Sequence, residues 1–519
     1  MMQAREVDIL TSLDAHAAIN PHGLAHTWRE HDLTWGEFAA RSLRLAGWLD
    51  AHVEPGAPVV VFGHKHPDLL VCFVAAMRSG RAYIPLDSSL PAQRVTSILE
   101  AAAATHILAP EDASLLPHTG AVVLAGDDLR VLMDQDSTAP RALTPVEPSA
   151  AQYTIFTSGS TGTPKGVQIS RDSVNRFASW ITSVAARYVE PDAGITVINQ
   201  APFSFDLSVM DVMYSWATGA RLFSVDRDHI VRLRDLFEAL RSSQATVWVS
   251  TPSFADLCLA DPDFSSSLMP DVRLFLFCGE TLQRATAVAL RERFPLASVI
   301  NTYGPTESTV AVTEVDVDDA VLAAFPVLPV GAPKPGTTLL ILDPDGSPVP
   351  DGDKGEIVIA GDTVSLGYYR RPDLTDKAFG QVDVAGVPTW AYWTGDAGVL
   401  SEGQLHFHGR LDFQVKLHGY RIEIEDIEAQ LRALPAVQQA VVVPRYDPTT
   451  PTTVTSLHAV VHLSEPPTGS TLATTVQLKR ELRALIPDYM VPKTMSFVSE
   501  IPMTANGKAD RAAVAATLA

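Results

Sequence analysis

The feature of this chain that most restricts its fold is an alternation, held over most of its length, between short apolar runs rich in β-branched residues and longer stretches of helical periodicity. Residues 58–63 (PVVVFG) read as a strand apolar on both faces, residues 68–78 as the helix after it, and residues 82–85 (AYIP) as the next strand. Further strands are expected at 197–202, 245–249, 274–278 and 299–302, with helices at 233–241 and 284–293. Strands without a polar face are covered by helices on both sides, and strand–helix–strand units return the chain to parallel neighbours. The expected class is α/β with parallel-rich sheets. A chain of 519 residues exceeds what one hydrophobic core organises, so more than one domain is required.

After about residue 327 the texture changes: turn signals at 335–336, 344–346 and 351–353 punctuate short strands, as in an antiparallel section. From residue 413 a strand, a helix (425–434), two strands (440–444 and 457–463) and a helix (476–485) form a block large enough to be a small α+β domain. The expected division is 1–411 and 412–519, with 449–455 as an exposed turn.

The formal net charge of −21 would repel a phosphate backbone, which argues against nucleic acid as a partner. Cys72, Cys258 and Cys278 are odd in number and far apart, so neither a disulfide framework nor a CxxC metal pair follows. The apolar run 69–77 is about half of what a bilayer needs, and the first residues lack a secretory pattern. No membrane insertion and a reducing cytoplasm are expected.

The clearest chemical signal is residues 153–167, YTIFTSGSTGTPKGV. An apolar strand runs into small and hydroxylated residues and one lysine. Glycine lets backbone approach an anion, hydroxyls and amides donate to it, and the lysine adds charge. Gly166 follows Lys165 where a Walker loop needs Ser or Thr, which disfavours a P-loop NTPase. A flexible Gly/Ser linker is the duller reading, but linkers seldom carry a fixed Pro-Lys-Gly behind a buried strand.

The loop TSGSTGTPKG resembles the signature of the adenylate-forming superfamily, which includes amino-acid adenylation domains, acyl-CoA synthetases and luciferases. The superfamily's other motifs follow in order: LTWGEF (33–38), RSGRAYIPLD (78–87), FDLS (205–208), NTYGPTE (301–307), GEIVIAG (355–361), YWTGD (392–396), GRLDFQVKLHGYRIE (409–423) and PMTANGK (502–508). Within it, residues 199–211, 250–254, 277–280, 416–421 and 503–508 resemble the ligases that load D-alanine onto a carrier protein. The resemblance implies a large N-terminal domain of α/β subdomains with a β-barrel-like section, and a small mobile C-terminal domain.

It also implies two half-reactions: ATP-dependent formation of an aminoacyl-adenylate, then transfer to the phosphopantetheine thiol of a separate carrier protein. Thr157, Ser158, Gly159, Ser160, Thr161, Gly162 and Lys165 would cradle the β- and γ-phosphates. Glu307, beside Thr306, would hold Mg²⁺. Tyr303 would stack on adenine and Asn301 reach its amino edge, while Gly279, Glu280 and Thr302 complete the nucleotide set. Asp396 would take the ribose hydroxyls with help from Arg410. Lys508 would bridge substrate carboxylate and α-phosphate as charge develops. Lys416 and His418 lie on the strand-loop that would face the site once the small domain turned about the hinge Asp412.

Asp206 discriminates substrate class. A carboxylate in an apolar pocket must be paired, and an α-ammonium group would pair it; acyl-CoA synthetases of non-amino acids have no such need. Leu207, Met210, Leu276, Cys278, Thr302, Val310 and Ala311 would shape a pocket without countercharge, with the Cys278 sulfur disfavouring bulk and favouring the D configuration. Lys479, Arg480 and Arg483 are candidates for a carrier-docking patch, weighed against an ordinary solvated helix face. Taken singly, Asp206 reads equally as a helix cap, the run 301–307 as a turn, and Lys508 as a surface lysine. The readings left open are D-alanine, a stand-alone ligase for L-alanine or another small amino acid in an antibiotic pathway, and an acyl-CoA synthetase.

Overall fold

In the computed structural model, residues 7–135, 143–159, 163–190, 194–448, 452–465, 470–502 and 511–517 are described. Val59–Gly63, buried at every position, is an inner strand of a six-stranded sheet. The order is Val122–Ala125, His106–Ala109, Val59–Gly63, Tyr83–Asp87, Ala151–Thr157, Lys165–Ser170, parallel except for the last pair. The helix after Val59–Gly63 starts at Pro67, which needs no N–H in the first turn, and runs to Arg78 with every residue buried.

A second sheet has nine strands. Its parallel centre is Ser298–Tyr303, Leu274–Phe277, Val247–Ser250, Thr196–Asn199, Arg221–Ser224 and Leu24–Trp28. Antiparallel strands close both edges: Thr313–Asp316 and Ala332–Pro333 on one side, His31–Thr34 on the other. The strand expected at 197–202 ends at Asn199. Lys65, fully buried, turns the chain there: its ammonium, 2.5 Å from the Asn199 amide oxygen, also donates to the Ala201 carbonyl.

Residues 337–410 form the antiparallel section, a five-stranded sheet built on Lys354–Gly361 and the long strand Val387–Ser401. Beyond it lies the small block, with its own core of Ile422, Ile427, Leu431, Val442, Ala459, Val461 and Leu482. Its first strand proves to be a hairpin, Gln414–Leu417 with Tyr420–Glu423. His418 (φ +52°) and Gly419 (φ +81°) form the two-residue turn; two successive left-handed residues match the twist of the paired strands. A further strand, Thr494–Val498, beyond the last element expected from sequence, pairs parallel with Val454–Leu463. The expected turn at 449–455 falls partly outside the described residues. Among the described residues no helix is long and apolar enough to cross a membrane.

Candidate active site

Parallel strands deliver their following loops to one edge of the sheet, the carboxyl edge, where α/β folds bind ligands. Thr196–Asn199 leads to Asp206, Leu274–Phe277 to Cys278 and Gly279, and Ser298–Tyr303 to Thr306 and Glu307. The first sheet delivers Ser158 the same way, at the end of Ala151–Thr157. Residues far apart in sequence therefore share one cleft.

At its centre a small cavity of about 30 Å³ is lined by Asp206, Leu207, Cys278, Gly279, Thr306, Val310, Asp396, Arg410, Lys416 and Arg421 among others. Asp206 precedes the helix Leu207–Thr218, yet its carboxylate makes no capping bond. It is 8% exposed, and burial raises its pKa, opposed by a hydrogen bond from Thr306 and the nearby Lys416 ammonium. Cys278 is buried, its thiol donating to the Val310 carbonyl at 3.4 Å, and burial pushes its pKa up. Thr309 and Val310 have φ of +61° and +69°. A β-branched residue in that region is strained, and the packing that holds it includes Gly304, where a Cβ would come within 2.6 Å of the Ala311 Cα. Met210, Leu276 and Ala311 lie deeper, in the core behind the cavity wall.

A larger cavity of about 820 Å³ adjoins it, lined by Gly279, Glu280, Thr302, Tyr303, Val330, Arg410, Asp412, Lys416 and His418 among others. The Tyr303 hydroxyl donates to Asp396 at 2.5 Å, and Arg410 donates to the other carboxylate oxygen at 2.6 Å. Arg410 also grips Asp412, at 2.9 and 2.6 Å. Burial opposes ionisation of Asp412, but the Arg410 guanidinium wins and holds its pKa below the usual value. Asn301 donates to the Pro329 carbonyl at 2.8 Å, leaving its buried Oδ1 without a hydrogen-bond partner among the described residues. The Thr302 hydroxyl is spent on the Phe277 carbonyl. Glu280 accepts the Gly419 and Ser253 amides at 2.6 and 3.1 Å, so it anchors the small block's hairpin turn.

On the far side a third cavity, about 840 Å³, runs between the two blocks past Ser158, Phe205, Asp206, Arg227, Thr251, Thr306, His418, Tyr420 and Tyr489. Here the Tyr420 and Tyr489 rings stack at 3.6 Å. Thr157 leaves a buried hydroxyl without a partner among the described residues, the kind of atom a ligand satisfies. Ser160, Thr161, Gly162 and Lys508 lie outside the described residues.

Glu307 is fully buried, accepting the Tyr368 hydroxyl at 2.8 Å and the Arg421 guanidinium at 2.5 Å, with the Lys165 ammonium 3.8 Å away. Burial works against its charge, but these cations outweigh it and lower its pKa to about 2. Among the described residues no three His, Cys, Asp or Glu side chains could converge on a metal ion. A hard cation would therefore need oxygens from a ligand besides this carboxylate, as magnesium does when it bridges phosphates. Arg421 and Lys65 were assigned no role from sequence. Arg421 sat unremarked inside a quoted motif, and Lys65 carried the faint signal of a lysine directly behind a wholly apolar strand.

Residues 13–369 match the family of AMP-binding enzymes, and residues 426–508 match the AMP-binding enzyme C-terminal domain. The chain is 43% identical over 510 residues to a D-alanine–D-alanyl carrier protein ligase of Bacillus licheniformis, covering 97% of this chain and 98% of that protein. It is 42% identical to the ligase of the same name from Bacillus velezensis, at the same coverage. Among solved structures, an artificially fused adenylation–PCP di-domain from Klebsiella oxytoca superposes with a TM-score of 0.81 at 23% identity, over 94% of this chain and 93% of that one. A Vibrio cholerae adenylation domain in complex with glycyl-adenosine-5′-phosphate gives 0.78 at 23%, over all of this chain and 98% of that one. These two establish the fold. With both blocks matched and full-length relatives above 40% identity, the chain belongs to the family of AMP-binding, adenylate-forming enzymes.

Proposed function

We propose that this enzyme activates D-alanine with ATP as D-alanyl-adenylate, releasing pyrophosphate, and then passes the alanyl group to the phosphopantetheine thiol of a separate carrier protein. The observation that carries the reading is Asp206: a buried carboxylate without a cap bond, in the wall of a small cavity that Cys278 and Val310 also line. An α-ammonium would complete its pairing, and Cys278 and Val310 would limit the side chain. The full-length likeness to D-alanine–D-alanyl carrier protein ligases supports the same substrate and acceptor.

In the first half-reaction the substrate carboxylate attacks the α-phosphorus. The P–O bond to pyrophosphate breaks as the acyl–phosphate bond forms. Thr157, Ser158 and Lys165, with Ser160 to Gly162, hold the departing phosphates; the free Thr157 hydroxyl is suited to this. The unpartnered Asn301 oxygen suits the adenine amino group beside Tyr303. Asp396, already taking one donor on each oxygen, has lone pairs left for ribose hydroxyls. Lys508 compensates the charge of the pentavalent state. Mg²⁺ bound at Glu307 and the phosphate oxygens would supply charge neutralisation. In the second half-reaction the thiol, reaching in along the cavity past Arg227, His418 and Tyr420, attacks the acyl carbon and expels AMP, with Lys416 in the wall of the small cavity that Asp206 lines.

Intact-mass measurement of a holo carrier protein incubated with enzyme, ATP and D-alanine tests this directly. One alanyl mass should appear on the holo carrier and none on the apo carrier; a holo carrier left unmodified after pyrophosphate release would contradict the acceptor.

A further inference from the structure

We propose that Lys65 is a positioning residue for the amino acid: its buried ammonium ties the segment that carries Asp206 to the sheet that carries the phosphate loop, and so fixes where the substrate ammonium is held. The proposal rests on the reading of Asp206 above and adds a residue that acts from outside the pocket.

Lys65 follows the strand Val59–Gly63 of the first sheet, is fully buried, and lines none of the three cavities. Among the described residues its ammonium meets only uncharged partners: the Asn199 amide oxygen at 2.5 Å, the Ala201 carbonyl, and the Phe203 ring, whose centroid is 4.7 Å away. All three stand at the end of the strand Thr196–Asn199 or in the loop that leads from it to Asp206. The Asn199 side chain passes the charge on, donating to both Asp211 oxygens at 3.0 and 3.1 Å. Asp211 is fully buried in the helix Leu207–Thr218, so one amide bridges a lysine of the first sheet and an aspartate of the second. Burial pushes the lysine's pKa down to about 8, with Asp211, Asp87 and Asp226 opposing, and it keeps its charge at neutral pH.

Taking an ammonium out of water is costly, and a buried charge persists only where its surroundings compensate it. Here the compensation makes one place rigid. Ala201, held directly, and Asp211, held through Asn199, stand on either side of Asp206 in the chain. Between them the Pro202 carbonyl accepts the Phe205 amide at 2.9 Å and the Phe205 carbonyl accepts the Ser208 amide at 3.0 Å. The Asp206 carboxylate makes no cap bond, so its place is set by this backbone. The first sheet also delivers Ser158, at the start of the phosphate loop. Lys65 therefore joins the site for the ammonium to the site for the phosphates, and a displacement of about 1 Å is enough to impair an attack that depends on that spacing.

The test separates amino-acid binding from the amount of working enzyme. In the full-length protein, Lys65→Met keeps the reach of the side chain and removes its charge and its donors. In ATP–pyrophosphate exchange the KM for D-alanine should rise about tenfold or more, with the KM for ATP within about twofold of wild type. A lysine that only supports folding behaves otherwise: a smaller folded fraction lowers the apparent kcat and leaves both KM values in place. Because Lys65→Met leaves Asp211 buried without its cation, Lys65→Met/Asp211→Asn is measured beside it. Removing charge from both ends of a buried bridge is tolerated better than removing one, so the double variant should unfold at or above the temperature of the single variant and keep the raised alanine KM. An alanine KM within about twofold of wild type in whichever variant folds, or an ATP KM that rises in step with it, would overturn the proposal. Wild-type exchange driven by D-alanine is the control: its absence would sink the substrate reading, whereas an unmoved KM sinks the role of Lys65 alone.

Discussion

On the proposed reading Asp206 carries the specificity of this enzyme, because the fold buries its carboxylate without using it to cap the helix that follows. Replacing it with asparagine keeps the shape and removes the charge that would meet an ammonium. Losing one partner of a desolvated charge pair costs about 2–5 kcal/mol, so kcat/KM for alanine in ATP–pyrophosphate exchange should fall at least about 30-fold. A variant within a few-fold of wild type would remove Asp206 from substrate recognition. Cys278 sits on the other wall, its thiol bonded to the Val310 carbonyl. Cys278→Ala opens space about the size of a methyl group, worth about 1–3 kcal/mol in discrimination. Exchange with L-alanine or L-serine should gain about tenfold relative to D-alanine; an unchanged ratio would show that the sulfur selects nothing. In the sequence Asp206 was singled out only through its company, since an aspartate ahead of an apolar helix reads alone as a cap. Lys65 and Arg421 were not legible, because their partners Asn199 and Glu307 lie 134 and 114 residues away, and nothing local reveals a partner supplied by another element.

At the scale of elements, the alternation of apolar strands and helices located the sheets well, and the helix at Arg284–Arg293 falls where periodicity placed it. The hairpin Gln414–Glu423 was the main miss. Its turn is His418–Gly419, and a histidine at a positive φ leaves no sequence mark as plain as Asn-Gly. That hairpin is also the element that brings the small block into the cleft. Gly419 has a φ of +81°, and a Cβ there would lie 2.4 Å from the Thr251 Cγ2. Gly419→Ala therefore strains the turn by about 1–3 kcal/mol and pushes it off the Glu280 carboxylate that accepts its amide. Transfer to the carrier should slow by about tenfold or more, and pyrophosphate exchange should be affected less. Equal loss in both assays would place the hairpin in the first half-reaction instead.

Over the whole molecule, stability depends on a buried polar seam between the strand Leu24–Trp28 and the loop that carries Asp206. His26 is fully buried, with its Nε2 2.8 Å from the Ser224 hydroxyl, and Ser224 donates to the Asn199 oxygen that also takes Lys65. Burial, with Lys65 and His66 adding repulsion, holds the His26 pKa well below the 6.5 of an exposed histidine. The unfolded chain binds a proton below 6.5 and the folded chain does not. The stability that neutral His26 permits is therefore complete above that pH and lost as pH falls through it, by up to about 1.4 kcal/mol per pH unit. Chemical denaturation of wild type and His26→Gln at pH 7.5 and 5.5 should show wild type losing more on acidification; parallel losses would acquit His26. The two-block organisation and the ordered motifs were legible from sequence, whereas the closed arrangement was not, because it depends on cross-block contacts such as Arg421 with Glu307 and Gly419 with Glu280.

On the proposed reading an ammonium-pairing carboxylate and a phosphate-holding loop together serve one small amino acid. ATP–pyrophosphate exchange with a panel of D-alanine, L-alanine, glycine, L-serine and a medium-chain fatty acid measures it most directly. Exchange should be strongest with D-alanine, weaker with the other amino acids and absent with the fatty acid, and Lys508→Ala should abolish it in a protein with unchanged circular dichroism. Exchange driven best by the fatty acid, or with no member of the panel, would contradict the account.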